Sequence, residues 1–358
     1  MAHTLNRRAV AGAGLFGLAA CARIEPAHAA PADAIGVASA PNPHVFPLLL
    51  AIARDPQLPV RLIPIAESRN ADALLQSGEA AAMLAMSYVA AKKRMTGAVP
   101  DLALHSLHFW RGFFQVAGES VRSFADLRGQ RVIVSGPVGN GRGGGGDIIF
   151  QAAVRRAGLD PATDLSVEYM PVSEGGAQVA AGTAAAITIP SPGSTGLVAR
   201  AEMARRPLMA AMARMRGVEV GPSVPLAAHI DMQRIFTGFD TFPDGQLPLG
   251  GFAVTQRAYA NAEIRAKFER VVNAYKDAAA LLMREPDAHA DQVSSLFAHY
   301  YAALGAGGPP GMLLSRSIEN GDLVYRGDIE VAAVRGDLGA WLAELNGQAP
   351  DHAFFAPG

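Results

Sequence analysis

Residues 123–160 read SFADLRGQRVIVSGPVGNGRGGGGDIIFQAAVRRAGLD. The apolar run RVIV has the composition of a short buried strand, and the run DIIFQAAVRR has the apolar spacing of a helix. Seven glycines lie in the loop between them, at 135–147. A strand that passes through a short glycine-rich loop into a helix is the unit from which α/β sheets are built, so this stretch predicts an α/β fold.

The same alternation of strand and helix continues on both sides of this stretch. Strand-like segments occur at 34–38 (AIGVA), 60–65 (VRLIPI), 81–86 (AAMLAM), 165–172 (LSVEYMPV) and 184–193 (AAAITIPSPG). In the more helical C-terminal third, apolar residues from Ile264 to Leu282, with Tyr275 among them, recur at steps of three and four, and we interpret them as core. The pattern predicts mixed, mostly parallel sheets flanked by helices.

Composition limits the possible classes of function. Half of the 358 residues are apolar, 18% are charged, and the formal net charge is −1. This balance is typical of a globular chain and argues against nucleic acid as a partner. Beyond the N-terminus there is no run of about 20 apolar residues, so the body of the chain is not expected to span a membrane.

The N-terminal residues 1–29 are interpreted as an export signal. Arg7 and Arg8 precede a glycine-containing apolar run, which is typical of a twin-arginine signal. Two processing sites remain open: cleavage after Ala29, or cleavage before Cys21 with a lipid on that cysteine. The sequence therefore predicts a periplasmic protein, either free or anchored through Cys21.

Four segments in a characteristic order carry a resemblance to a known family. They are ADALLQSGEAAAMLAMS, the 123–160 stretch, GTAAAITIPSP and IRAKFERVVNAYKDAAALLMREPDAHA. Together they resemble the type II periplasmic solute-binding proteins of ABC importers, in the branch for nitrate, taurine, alkanesulfonates and thiamine-pyrimidine precursors. The sequence departs from the family at 183–185, where Thr-Ala-Ala stands in a segment that usually carries an aspartate, and in its long glycine run at 143–146.

The resemblance implies a two-lobed clamshell, each lobe a mixed, mostly parallel sheet flanked by helices. Lobe 1 is expected at 33–117 plus 250–350 and lobe 2 at 120–247, with hinges near 116–119 and 246–250. It also implies a small organic, sulfonate- or carboxylate-like solute held between the lobes, and an ABC permease with its ATPase as partners. Contact with the membrane is expected only through the permease or a lipid on Cys21.

Ligands of open α/β sheets bind where the carboxyl ends of strands meet loops and helix N-termini. Loops of this kind are expected after the strands near 38, 86, 135 and 190. The polar and glycine residues of these loops are the candidate ligand-binding residues: Asn42, His44, Ser87, Tyr88, Ser135, Gly139, Asn140, Arg142, Gly143, Pro190 and Ser191.

The glycine loop itself admits three interpretations. Gly139, Gly141 and Gly144 have the G-x-G-x-x-G spacing of a nucleotide site, but that site needs the first strand of the fold and an acidic residue about 20 residues further on. A solute site is favoured, because glycines allow close approach and Arg142 can pair with an anion. A purely structural turn is the third interpretation. No cofactor is expected.

The sequence offers no catalytic constellation and no metal site. It has neither a G-x-S-x-G elbow nor an H-E-x-x-H motif, and His105 and His108 lie in a strand-like run that directs them to opposite faces. An enzyme on the same scaffold is one alternative, although the family's enzymes need a cysteine and only Cys21 is present. A ligand-sensing module is the other. We expect a binding protein rather than an enzyme.

Overall fold

The computed structural model describes residues 30–66, 69–136, 141–215 and 224–356. The predicted export signal at 1–29 and the candidate residues Gly139 and Asn140 lie outside the described residues.

Strands and short helices alternate through the first two thirds of the chain, and helices dominate the last third. The strands are β1 Ile35–Ser39, β2 Val60–Pro64, β3 Ala82–Met86, β4 Leu102–Arg111, β5 Phe113–Gly118, β6 Arg131–Ser135, β7 Ser166–Met170, β8 Ala186–Pro190, β9 Leu226–Asp231, β10 Gly250–Thr255 and β11 Val324–Tyr325. The helices are α1 Phe46–Arg54, α2 Asn70–Ser77, α3 Ser87–Met95, α4 Gly145–Arg156, α5 Val172–Ala180, α6 Gly193–Arg205, α7 Pro207–Met215, α8 Gln256–Ala260, α9 Ala262–Arg284, α10 Pro286–Tyr300, α11 Gly311–Glu319 and α12 Val331–Asn346.

The described strands form two mixed sheets. The first has the order β11-β4-β10-β3-β1-β2, and we call it with its helices the first lobe. The second has the order β7-β6-β8-β5-β9, and we call it with its helices the second lobe. In each sheet three neighbouring strands are parallel, and a strand that arrives from the other sheet adds antiparallel pairing. The predicted α/β class is confirmed.

The chain first crosses between the sheets at Gly112. Strand β4 ends at Arg111 in the first sheet, and β5 begins at Phe113 in the second, where it pairs with β8 and β9. A Cβ at Gly112 would lie 2.2 Å from Cζ of Phe109, so the crossing needs a residue without a side chain. This differs from the expected lobe boundary at 117 and hinge near 116–119, because β5 belongs wholly to the second sheet. The chain returns to the first sheet at β10.

The apolar stripe of α9 lies in the core, as its spacing predicts. Phe268, Val271 and Leu282 are buried, and so is Tyr275, which lies on the same face of the helix. Helix α9 packs on α1 and spans the first sheet from β2 to β11. Helix α9 is therefore part of the core of the first lobe.

Two glycines give opposite predictions for substitution by alanine. A Cβ at Gly251, in the central strand β10, would lie 1.8 Å from the carbonyl oxygen of Ser106 on β4. Gly251→Ala is therefore expected to force these strands apart and to lower the free energy of unfolding by about 1–3 kcal/mol.

The matched control is Gly336→Ala. Gly336 is exposed on α12 with open space around it, so the substitution is expected to raise the free energy of unfolding by about 0.5–1 kcal/mol. Thermal melting of the two variants beside the parent measures both effects. Equal melting midpoints for both variants would contradict the close packing of β10 on β4.

Candidate functional site

A small cavity lies between the lobes, at the ends of β1 and β3. Its volume is about 10 Å³, which is room for about one water molecule. Gly145, the first residue of α4, closes it from the second lobe, and all its other lining residues belong to the first lobe. The lining residues are Ala40, Asn42, His44, Ile65, Met83, Leu84, Ala85, Met86, Val89 and Gly145.

Asn42 and His44 supply the polar side chains of this cavity. Both are buried, and Oδ1 of Asn42 and Nδ1 of His44 have no hydrogen-bond partner within the described residues. The other ring nitrogen of His44 lies 3.4 Å from the Ser39 hydroxyl. Buried polar atoms are nearly always paired with protein, water or ligand, so these two atoms mark a place for an incoming hydrogen-bonding group.

Burial also fixes the charge of His44. It lowers the pKa of the imidazole to about 4, and the backbone of Leu84 offsets only part of that effect. His44 is therefore neutral at physiological pH, and its Nδ1 presents either an N–H or a lone pair to the cavity, according to the tautomer. Its edge-on contact with Phe109, at 6.4 Å between ring centres, helps to hold the ring in place.

Three buried tyrosine hydroxyls hold the loop that carries Asn42 and His44. Tyr301 donates to the carbonyl of Ser39 at 3.2 Å, Tyr325 to that of Pro43 at 2.8 Å and Tyr275 to that of His44 at 2.7 Å. Burial raises the pKa of each phenol, so all three remain donors at physiological pH. The loop backbone is thus fixed from beneath by residues far away in the sequence.

Ser87 and Tyr88, at the start of α3, are candidates that the structure places in contacts between chain segments. The Ser87 hydroxyl donates to the carbonyl of Pro248 at 2.6 Å, which fastens α3 to the returning chain. The Tyr88 hydroxyl donates to the carbonyl of Gly145 at 2.9 Å and so joins the two lobes. Trp341 packs edge-on against the Tyr88 ring, with 5.5 Å between ring centres.

The described part of the glycine loop is organised around Asp147, which is buried in the first turn of α4. One of its carboxylate oxygens accepts the N–H of Gly143 at 2.6 Å, and the other accepts the Tyr169 hydroxyl at 2.8 Å. Gly143 has φ of +76°, a conformation that suits glycine. Arg142 is exposed, with its guanidinium 4.9 Å from the centre of the Tyr169 ring. Arg142 therefore does not line the cavity.

Ser191 belongs to a second group of polar side chains between the lobes. Its hydroxyl lies 3.2 Å from that of Thr195, which in turn donates to Asp322 at 3.3 Å. Ser317 donates to the Thr195 hydroxyl at 2.9 Å. Ser191 and Thr195 follow β8 in the second lobe, whereas Ser317 and Asp322 come from α11 and the loop after it. Pro190, the last residue of β8, supplies no polar side-chain atom.

The structure thus brings some candidates together and separates others. Asn42 and His44 line the cavity, and Tyr88 closes it by holding Gly145. Ser135 is buried with its hydroxyl unpaired among the described residues, but it does not line the cavity. The loop-holding tyrosines and Asp147 were missed. For Tyr275, the available signal was a hydroxyl inside an otherwise apolar stripe, since a buried tyrosine needs a hydrogen-bond acceptor.

No group of three metal-ligating side chains occurs in residues 30–66, 69–136, 141–215 and 224–356. Within these ranges, no helix is both long and apolar enough to cross a membrane. His105 pairs with Glu269 at 2.9 Å, while His108 is buried with Nδ1 3.2 Å from the carbonyl of Arg326.

This fold is similar to solved structures of periplasmic binding proteins. The alkanesulfonate-binding protein SsuA from Xanthomonas axonopodis pv. citri, bound to MOPS, is 15% identical with a TM-score of 0.54, over 92% of this chain and 98% of that one. The periplasmic aliphatic sulphonate-binding protein SsuA from Escherichia coli is 16% identical with a TM-score of 0.56, over 91% and 96%. An ABC transporter structure from Parabacteroides distasonis is 16% identical with a TM-score of 0.57, over 90% and 98%. No protein-family model and no curated protein matches the sequence.

The chain therefore has the two-lobed fold of the periplasmic solute-binding proteins of ABC importers. Among the structures above, the two sulfonate-binding proteins share this fold with the chain over nearly the whole of both chains. The clamshell fold and the resemblance drawn from the sequence are confirmed.

The Tyr88–Gly145 hydrogen bond makes a prediction about lobe closure. Tyr88→Phe removes the donor and leaves the ring. The free energy that favours the closed form over the open form is therefore expected to fall by about 1 kcal/mol, which lowers the ratio of closed to open molecules about fivefold. The ratio is measured by pulsed EPR on the protein of residues 30–358, with spin labels at Asn273→Cys in α9 and Glu202→Cys in α6.

The matched control is Tyr259→Phe. The Tyr259 hydroxyl donates to Glu269 at 2.6 Å within the first lobe, so the same chemical change removes a hydrogen bond without touching the closure. An identical distance distribution for Tyr88→Phe and Tyr259→Phe would show that the interlobe hydrogen bond does not stabilise the closed form.

Proposed function

We propose that this chain is the solute-binding subunit of an ABC importer, exported to the periplasm. In this role it captures a small organic solute between its lobes and delivers it to a membrane permease and its ATPase. The observation that carries the proposal is the cavity between the lobes, which a rigid loop of the first lobe lines with unpaired polar atoms. The fold shared with sulfonate-binding proteins supports the same role.

The geometry explains how such capture works. A loop held by three tyrosine hydroxyls keeps Asn42 and His44 in position before a solute arrives, so little entropy is lost on binding. Because the closed cavity admits about one water, a larger solute enters only when the lobes separate. Closure then buries the solute against Gly145 and the start of α4. The role is binding and transfer, with no chemical reaction.

The anionic solute expected from the sequence depends mainly on Arg142. Arg142 is exposed, its guanidinium packs on Tyr169, and it is not among the described residues that line the cavity. In this proposal a sulfonate or carboxylate remains one class to test. The same proposal leaves both processing sites open, so the mature chain begins at Ala30 or at a lipid-bearing Cys21.

Thermal melting of the protein against a panel of solutes tests the proposal. The panel holds alkyl and aryl sulfonates, nitrate, dicarboxylates, thiamine-pyrimidine compounds, aromatic acids, neutral amides and NAD. A true ligand at a hundred times its dissociation constant is expected to add about 2.7 kcal/mol of stability. Asn42→Leu should abolish the shift, since it removes the unpaired amide from the cavity.

The control for that variant is Asn273→Leu, the same change at an exposed position of α9, which should keep the full shift. A shift with NAD alone would favour the nucleotide interpretation of the glycine loop. If no compound shifts the melting of the folded protein, or if both leucine variants respond alike, the proposed cleft is not the binding site.

A further inference from the structure

We propose that the solute held in this cleft is uncharged: an apolar molecule with one neutral group, a hydroxyl or an amide, that hydrogen-bonds to Asn42 and His44. This inference rests on the proposed function and names the chemical class of the solute. It departs from the anion expected on the sequence.

The first observation is the character of the cavity wall. Apart from Asn42 and His44, the described residues that line it are aliphatic side chains, two methionines and Gly145, and none of them carries a charge. An ion moved from water into such surroundings loses its hydration without gaining a counter-ion, which costs several kcal/mol. An apolar body, in contrast, gains free energy when it is buried there.

Two helices, α3 after Met86 and α4 at Gly145, begin at the cavity wall, and a helix N-terminus favours negative charge. The second observation concerns the negative charge at α4. That charge is already supplied by the chain. Asp147, two residues beyond Gly145, is 5% exposed and accepts hydrogen bonds from the Gly143 N–H, the Tyr169 hydroxyl and the Gln151 amide. A solute anion placed at this helix end would face a buried carboxylate.

The third observation is the position of the nearby cation, the guanidinium of Arg142. Arg142 has its guanidinium over the Tyr169 ring, at 4.9 Å, and its side chain is exposed. It therefore contacts β7, an edge strand of the second sheet, and no described residue that lines the cavity carries a positive charge.

The fourth observation is the pair of buried atoms that lack partners. Oδ1 of Asn42 accepts a hydrogen bond, and Nδ1 of His44 donates or accepts one according to the tautomer, because Nε2 faces the Ser39 hydroxyl. A hydroxyl or an amide matches this set, because each of these groups has both a donor and an acceptor. A carboxylate or sulfonate has acceptors alone and would leave Oδ1 of Asn42 unpaired and repelled.

Matched pairs of compounds test the inference on the full chain without any variant. The pairs are benzamide and benzoate, nicotinamide and nicotinate, benzenesulfonamide and benzenesulfonate, and 1-butanol and butanoate. Isothermal titration gives the dissociation constant of each. In every pair that binds, the neutral member is expected to bind at least tenfold more tightly than the anion.

Arg142→Ala separates the two accounts of recognition. For an uncharged solute, this variant should keep the dissociation constant within about twofold, since no charge is paired. An anion that binds more tightly than its neutral partner, and that loses tenfold or more in Arg142→Ala, overturns the inference and leaves the proposed function intact. If no member of any pair and no compound of the wider panel binds, the proposed function fails and the inference fails with it.

Discussion

Three hydrogen bonds from tyrosine hydroxyls to one short loop are the constraint on which the rest of the site depends. They join Tyr275, Tyr301 and Tyr325 to the carbonyls at 39, 43 and 44. Each of these carbonyls is buried, and an unpaired buried carbonyl costs about 1–3 kcal/mol, so the loop and the tyrosines fix each other. The tyrosines come from the C-terminal third of the chain. This region therefore shapes a site whose polar side chains lie near the N-terminus.

The second constraint on the site is the set of contacts between the two lobes. They include the Tyr88–Gly145 hydrogen bond beside the cavity and, in the second polar group, the Thr195–Asp322 and Thr195–Ser317 contacts. Further out, Arg156 of α4 pairs with Glu344 of α12 at 2.6 Å. Apolar packing accompanies these polar contacts, because one hydrophobic cluster includes Met86 and Trp341 of the first lobe and Phe150 of α4 in the second.

Much of the fold could be predicted from the sequence. The strand and helix periodicities gave the α/β class, and the stripe around Phe268 is core as its spacing indicates. From the sequence, the first crossing between the lobes is expected near 116–119, which is later in the chain than Gly112. The reason is that 108–114 reads as one extended aromatic run. Only the packing of Phe109 on the backbone shows that Gly112 is the residue at which the chain leaves the first sheet.

The site was less predictable, for physical reasons that particular residues illustrate. Asn42 and His44 were found because a strand end in an α/β sheet is a general place for ligands. Arg142 was expected in the cleft because its loop is rich in glycine, yet the partner it contacts, Tyr169, lies on another strand. The hydroxyl of Tyr275 has an acceptor that only the tertiary fold brings near. The spacing of apolar residues along the sequence indicates which face of a helix is buried. It does not reveal the hydrogen-bond partner of a buried polar atom.

The central claim is that the loop of Asn42 and His44 is sealed from water and uncharged, and the titration of His44 tests it most directly. We would follow the imidazole resonances of histidine-labelled protein by NMR as pH falls, with the signal of His44 assigned from its absence in His44→Gln. Burial predicts a midpoint near pH 4. A midpoint near 6.5, the value of a solvated imidazole, would show that the loop is open to water and would contradict this account.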